Sequence, residues 1–183
     1  MKRLGHWIGR PASRFRRSEG GATAVEFALV GGPFFLMLLA IFETGLMMFS
    51  EYVIENGTAK AARMIRTGQV QTTNMTASQF KQVVCGNISG FLDCEGRLYV
   101  DVRNFPSFSG ITKPNSINGD GELSDDLKVN AKFSPGKPLD VVVVNVYYDW
   151  KLFTPGLSHM SNLANGRRLL SASAAFRNEP FTN

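Results

Sequence analysis

The feature that most constrains this chain is an apolar run from Ala22 to Phe42 that contains one charged residue, Glu26. As a helix rising 1.5 Å per residue it would extend about 31 Å, close to the roughly 30 Å hydrocarbon core of a bilayer. We therefore predict a membrane-spanning helix over residues 22–42.

Two other interpretations of this run fit less well. A secretory signal peptide has a shorter apolar region followed by a small-residue cleavage site, whereas Glu43-Thr44-Gly45-Leu46 follows here and apolar sequence continues. A buried helix of a soluble protein is rarely so long and so uniformly apolar. The membrane span is the interpretation that the sequence favours.

The distribution of charge predicts how this helix is oriented. Residues 1–21 contain six basic residues and one acidic residue, so their net charge of +5 equals that of the whole chain. Because positive flanks stay in the cytoplasm, we expect the N-terminus to be cytoplasmic and most of the chain to be exported. A nucleic-acid-binding surface needs basic residues spread over a folded face, so we expect no nucleic-acid partner.

Helical spacing continues beyond the apolar run, which predicts one helix from about residue 22 to 67, ended by Gly68. Pro33 cannot donate a backbone hydrogen bond, so we expect a kink or local loosening there. After Phe42 the predicted helix has two distinct faces. One carries Ile54, Thr58, Ala61 and Ile65, and the other carries Tyr52, Asn56, Lys60 and Arg63.

The rest of the chain predicts a small domain of mixed helix and strand. Thr76 and Gln79 form a capping-box pattern, so we expect a short helix from about residue 77 to 84, or one that continues to 91. Phe105 to Asp126 is rich in turn-forming residues and is predicted to be a long loop. Strands are predicted at Arg97–Arg103, Leu127–Phe133, Asp140–Phe153 and Arg167–Phe176. The expected fold is α+β, with a small antiparallel sheet that packs on the exported half of the long helix.

The two cysteines, Cys85 and Cys94, both fall on the side that we expect to be exported. An oxidising compartment favours a disulfide, which would stabilise the fold by up to about 3 kcal/mol. Two unpaired buried thiols are the alternative.

Glu26 is the one charge that the predicted membrane helix has to accommodate. A carboxylate costs about 2.5–3.5 kcal/mol at mid-bilayer and less near the interface, so Glu26 could simply lie at the membrane surface. The other interpretation is that cleavage after Gly21 creates a free amine on Ala22, which neutralises Glu26 in the same or a neighbouring chain.

The N-terminal motif resembles a known family. Gly21, four further residues, Glu26-Phe27 and the apolar run resemble the processing motif of type IV pilin-like proteins, and GGATAVEFALVGGPFFLMLLAIFETG is similar to the TadE/TadG-like family. These are minor pseudopilins of the tight-adherence, or Flp, pilus. Ala61-Ala62-Arg63 and the late segment from Ser171 to Phe181 extend the resemblance.

The resemblance implies a pilin-like fold and a set of processing and assembly residues. It implies cleavage between Gly21 and Ala22 by a membrane aspartyl prepilin peptidase, N-methylation of Ala22, and a role for Glu26 and Phe27 in assembly. The implied partners are the prepilin peptidase, other pilins and pseudopilins, the inner-membrane assembly platform and membrane lipid. The implied location is the bacterial inner membrane, single-pass and with a periplasmic domain, or the pilus itself.

The expected organisation is a cytoplasmic leader at 1–21, a long helix at 22–67 and an exported domain at 68–183. An uncleaved membrane anchor that binds another envelope protein is the alternative function. We expect no catalytic residues, cofactor or metal, because no nucleophile–base pair or metal-ligand spacing is present. The acidic residues Asp120, Glu122, Asp125 and Asp126 suggest a solvated loop, and Tyr147, Tyr148, Trp150 and Phe153 suggest sheet residues or a partner surface.

Overall fold

The computed structural model describes residues 20–88, 90–129, 131–154 and 159–182, and it divides the chain into two compact units, 1–42 and 43–183. The predicted leader falls largely on residues 1–19, outside the described part. Helix α1, Gly20–Arg66, contributes to both units and is assigned as one helix through Pro33. The long N-terminal helix predicted from the sequence is therefore confirmed, while the kink at Pro33 stays a prediction.

Helix α1 ends where the sequence predicts, at a glycine with a left-handed backbone. Gly68 has φ of 80° and donates its N–H to the carbonyl of Ile65 at 3.0 Å. The C-terminal tail closes over this end, because Glu179 donates its N–H to the Arg66 carbonyl at 2.9 Å and accepts a salt bridge from the Arg66 guanidinium. A Cβ placed on Gly68 would overlap the ring of Phe181.

We expect Gly68→Ala to lower the free energy of unfolding by about 2–4 kcal/mol, because alanine disfavours positive φ and its methyl group would displace a packed ring. Gly86→Ala is the matched control, since Gly86 is exposed in a helix and has nothing near the position of a Cβ. That change should raise stability by about 0.5–1 kcal/mol. Thermal unfolding of the full chain, followed by circular dichroism, compares the two; equal effects would contradict the prediction.

Two shorter helices follow α1. Helix α2 is Gln69–Thr72 and helix α3 is Ala77–Ile88. The predicted capping box is confirmed, with Thr76 donating its N–H to the Gln79 side chain at 2.8 Å and Gln79 returning its N–H to the Thr76 hydroxyl at 3.3 Å. Helix α3 packs closely on α1 at Gly57, where any side chain would overlap Ile88.

The sheet has three antiparallel strands in the order β1-β2-β3, which are Leu98–Phe105, Val141–Trp150 and Arg168–Arg177. A 3-10 turn, Phe108–Gly110, follows β1. One sheet face forms a single core with α1 and α3, to which β2 contributes Val142, Val144 and Val146, and α1 contributes Ile54, Ala61 and Ile65. The predicted α+β fold, with its sheet on the later part of the helix, is confirmed.

The strand predicted over Leu127–Phe133 is wrong. Residues Asp125–Lys128 form the short helix α4, and Phe133 makes only an isolated parallel bridge to Val102. The carbonyl of Ser124 accepts the N–H groups of Leu127 and Lys128, and acidic residues occupy the first turn, where they favour helix. The apolar alternation was misleading because Leu127 is buried whereas Val129 is 77% exposed.

A disulfide joins Cys85 in α3 to Cys94 in the following loop, across a sequence separation of 9. Closing a loop of this length constrains the unfolded chain, so we expect Cys85→Ser to cost about 2–3 kcal/mol and to leave Cys94 open to thiol reagents. Non-reducing electrophoresis and thiol labelling check the bond. Full labelling of the native chain without reductant would rule it out.

Candidate functional site

The first half of α1 exposes a continuous apolar surface. Between Val25 and Phe42 the large apolar side chains of the first unit are 43% to 72% exposed. Within the described residues, α1 is the one helix long and apolar enough to cross a membrane. Soluble monomers rarely expose so large an apolar patch, so this surface requires lipid or other helices around it.

The predicted processing and assembly residues lie at the start of this surface. Gly21 and Ala22 are in the first turn of α1, and Glu26 and Phe27 are about one turn further on; all four are exposed. The Phe27 ring lies over Gly31, where a Cβ would be 3.6 Å from it. The Phe27 ring is therefore directed along α1 toward Gly31, while Glu26 lies four residues after Ala22.

Helical geometry places Ala22 and Glu26 on the same face, because residues four apart are neighbours on a helix surface. In the described part of the chain no cation lies within ion-pair distance of Glu26. A free amine on Ala22 would therefore be an available partner within one turn. Its formation depends on cleavage, which remains a prediction.

The second half of α1 carries a carboxylate that the sequence reasoning did not single out. Glu43 is 2% exposed and accepts hydrogen bonds from the Phe153 N–H, the Thr154 hydroxyl and, at 3.2 Å, the Thr154 N–H. Next to it, the Thr44 hydroxyl contacts the Met160 sulfur at 3.5 Å. We call this arrangement the Glu43 clamp; it fastens the segment after β2 to the helix residue that directly follows the apolar run.

A sequence signal for the clamp did exist. The buried stripe of α1 continues backward from Ile54 at helical spacing through Ser50 and Met47 to Glu43, all of them buried. A carboxylate on the core-facing stripe needs hydrogen-bond donors, because an unpaired buried charge is strongly unfavourable. What the sequence does not indicate is that those donors come from residues 153 and 154.

The outer face of the sheet carries polar contacts that organise loops. Asp101 is fully buried, pairs with the Arg103 guanidinium at 2.8 Å and accepts the Lys132 N–H at 2.9 Å. Burial, and secondarily the charge of Asp101, raises the pKa of Tyr147 above its ordinary value. These groups attach the segment around Lys132 to β1 and form no nucleophile–base arrangement among the described residues.

The acidic loop is closed by a side chain, since the side-chain oxygen Oδ1 of Asn118 accepts the N–H groups of Asp120 and Glu122. In the described ranges, no three histidine, cysteine or acidic side chains group closely enough to hold a metal ion. Of the aromatic residues singled out, Tyr147 and Tyr148 lie on opposite sheet faces and Trp150 ends β2. Phe153 lies beyond the strand and is 71% exposed.

Comparison with known proteins supports the N-terminal assignment. A family model described as TadE-like protein matches residues 21–63, which confirms the resemblance seen in the sequence. The match begins at the predicted cleavage residue and ends at Arg63, within α1. TadE-like proteins form a structural, pilus-related family, and the match covers the segment of this chain from residue 21 to residue 63. No curated protein and no solved structure matches the chain.

Proposed function

We propose that this chain, whose helix α1 carries the TadE-like segment, is a minor pseudopilin that acts in biogenesis of the tight-adherence pilus. The observation that carries the proposal is the coincidence of the family match at 21–63 with a helix that exposes apolar side chains over the length of a bilayer. In this proposal α1 anchors the chain in the inner membrane, the N-terminal leader is cytoplasmic and the folded unit is periplasmic.

In this proposal the apolar first half of α1 leaves one apolar environment, the lipid, and enters another, the pilus assembly. In lipid, the hydrocarbon chains cover the side chains between Val25 and Phe42; in a filament or initiating complex, helices of other pilins and pseudopilins cover them instead. Because both environments are apolar, close packing rather than the hydrophobic effect decides the balance. Two partners are proposed for this exchange. The prepilin peptidase would remove the leader, and the inner-membrane assembly platform would move the subunit from lipid into the assembly.

The charge state of Glu26 is proposed to determine whether α1 can enter the assembly. Cleavage after Gly21 would give Ala22 an amine, and a carboxylate neutralised by an amine enters an apolar assembly at much lower cost than an isolated one. The same pairing between neighbouring chains would align their helices. N-methylation of Ala22 would preserve the positive charge.

We expect Glu26→Ala to leave membrane insertion intact and to reduce surface piliation by at least about tenfold, which corresponds to 1.4 kcal/mol of lost assembly energy. Complementation of a strain that lacks the gene, scored by pilus counts and by membrane fractionation, tests this. Glu55→Ala is the control, since Glu55 is exposed on the later part of the same helix. Normal piliation with Glu26→Ala would count against the pairing. An unprocessed and fully functional chain would favour the uncleaved anchor.

A further inference from the structure

Asparagine is followed directly by glycine at three places in the chain, Asn56-Gly57, Asn118-Gly119 and Asn165-Gly166. In this dipeptide the backbone nitrogen of the glycine can attack the side-chain amide carbon of the asparagine, because glycine has no Cβ to obstruct the approach. The dipeptide itself is the same at all three places. A difference in their reactivity in the folded chain therefore has to come from the surrounding structure.

The Asn118-Gly119 pair lies in an exposed turn. Both residues are exposed, and nothing lies within 4 Å of a Cβ placed on Gly119. The turn is closed around them, because Asn118 donates its N–H to the Glu122 carbonyl at 2.8 Å and its own carbonyl accepts the Gly121 N–H at 3.1 Å. Among the described residues, the Gly119 N–H has no hydrogen-bond acceptor. Its nitrogen is therefore available as a nucleophile.

The Asn118 side chain is held in place and polarised by the same turn. Its oxygen Oδ1 accepts the N–H of Asp120 at 3.1 Å and the N–H of Glu122 at 2.8 Å. Such bonds fold an asparagine side chain back over the residues that follow it. Attack on the amide carbon places negative charge on this oxygen, and the two N–H donors stabilise that charge.

The Asn165-Gly166 pair is the closest comparison within the chain. Oδ1 of Asn165 accepts the Arg167 N–H at 3.1 Å, so this side chain also bonds to the backbone two residues on. The difference lies at the glycine, because Gly166 donates its N–H to the Leu163 carbonyl at 3.1 Å. The nucleophile of this pair is therefore occupied.

The Asn56-Gly57 pair is protected by helix α1. Gly57 is buried, and its N–H lies inside the helix, where backbone groups hydrogen-bond four residues apart. The Asn56 side chain donates to the Tyr52 carbonyl at 2.8 Å, on the preceding turn of the helix. Attack by the Gly57 nitrogen would require this part of α1 to unwind.

We propose that Asn118 is a site of spontaneous deamidation in the folded chain and that the fold protects Asn56 and Asn165. The Gly119 nitrogen loses its proton to water and bonds to the side-chain carbon of Asn118, whose bond to the amide nitrogen breaks and releases ammonia. One water molecule then opens the resulting succinimide ring at either carbonyl, which gives aspartate or isoaspartate. The reaction needs no oxidant, reductant or second protein.

The two products affect the turn differently. Aspartate keeps a side-chain oxygen that accepts the N–H groups of Asp120 and Glu122. In isoaspartate the main chain runs through the former side-chain carbon, so the chain is lengthened and these two bonds are lost. An isolated bridge joins Ile117 to Leu123 across the turn, and Leu123 packs against the cluster that contains Tyr147. Isoaspartate is therefore expected to loosen this loop from the outer face of the sheet.

Peptide mapping of the full chain by mass spectrometry tests the proposal. The chain is purified in detergent micelles with its disulfide intact and incubated at neutral and at mildly alkaline pH. Replacement of –NH₂ by –OH is then followed at each of the three asparagines. We expect the rate at Asn118 to exceed the rates at Asn165 and Asn56 by at least about tenfold, which corresponds to about 1.4 kcal/mol of activation free energy. The rate at Asn118 should rise with pH, because the nucleophile is the deprotonated nitrogen.

Two controls separate the effect of the fold from that of the dipeptide. In urea with the disulfide reduced, the three pairs lose their structural differences, so their rates should become similar. Gly119→Val keeps Asn118 and places a branched side chain beside the nucleophile, in open space. We expect this variant to slow deamidation at Asn118 and to leave the rate at Asn165 unchanged.

The possible outcomes are clearly distinguished. Equal rates at Asn118 and Asn165 in the folded chain, or a faster rate at either protected asparagine, would overturn the proposal. Deamidation of Asn118 in urea but not in the folded chain would also overturn it. A preference for Asn118 that persists unchanged in urea would show that the fold is not its cause. None of these measurements depends on membrane insertion or piliation, so the proposed function is tested separately.

Discussion

Cells with an active prepilin peptidase are expected to contain the wild-type chain starting at Ala22 and the Gly21→Phe chain starting at Met1. In the proposed processing, the residue before the cut would enter a protease site inside the membrane, and glycine presents no side chain there. Blocked cleavage would also leave Ala22 in a peptide bond, so Glu26 would lose its proposed amine partner. We therefore expect Gly21→Phe to abolish processing and piliation together, as measured by the intact mass of the purified chain and by pilus counts.

Gly20→Ala is the control for this experiment, because it changes a neighbouring glycine and leaves the residue before the cut unchanged. We expect that variant to be processed. A wild-type chain that keeps Met1 under the same conditions would contradict the cleavage site. Processing of Gly21→Phe at the normal rate would show that the cut lies elsewhere.

The second large effect is expected at the Glu43 clamp. Glu43→Ala leaves the N–H groups of Phe153 and Thr154 without their acceptor, and hydrogen bonds to a charged group contribute about 1.5–3 kcal/mol each. We expect the free energy of unfolding to fall by about 2–4 kcal/mol, less than the sum, because water can enter the loosened segment. Thermal unfolding measures the loss, and limited trypsin cleavage after Lys151 reports release of the segment itself.

Two further substitutions distinguish loss of the clamp hydrogen bonds from the general effect of removing a carboxylate from α1. Thr154→Val removes one donor but keeps both backbone bonds, so we expect a loss of about 1 kcal/mol. Glu55→Gln changes an exposed carboxylate of the same helix and should alter stability by less than about 0.5 kcal/mol. If Glu43→Ala and Glu55→Gln unfold at the same temperature, the clamp does not stabilise the fold.

Local patterns account for most of the fold. The continuous apolar run, the glycine at 68 and the Thr76–Gln79 box each determine their structure from neighbouring residues, so α1 and the start of α3 were predictable. The β-branched run of β2 was equally clear. The strand prediction for Leu127 to Phe133 was wrong because two signals competed there. Alternating apolar residues favoured a strand, whereas the acidic residues at 125 and 126 favoured a helix, and the chain forms the helix.

The candidate site likewise has a part that could be predicted from the sequence and a part that could not. The exposed start of α1 depends on sequence spacing alone, and the family match covers that segment. The roles of Gly21, Ala22, Glu26 and Phe27 stay predictions. The Glu43 clamp depends on contacts across more than a hundred residues, for which the sequence offers only the buried stripe on one side. The location of the acceptor was therefore derivable and the identity of its donors was not.

The contacts between Arg66 and Glu179, and between Gly68 and Phe181, have a kinetic consequence. The end of helix α1 is covered by residues far along the chain, and the Arg66–Glu179 contact closes a loop of 113 residues, so we expect it to form late. We expect the folded unit to stay incomplete until the segment around Glu179 is available to pack on the end of α1. Closure of this end of α1 is therefore expected to be one of the later steps in folding of the unit 43–183.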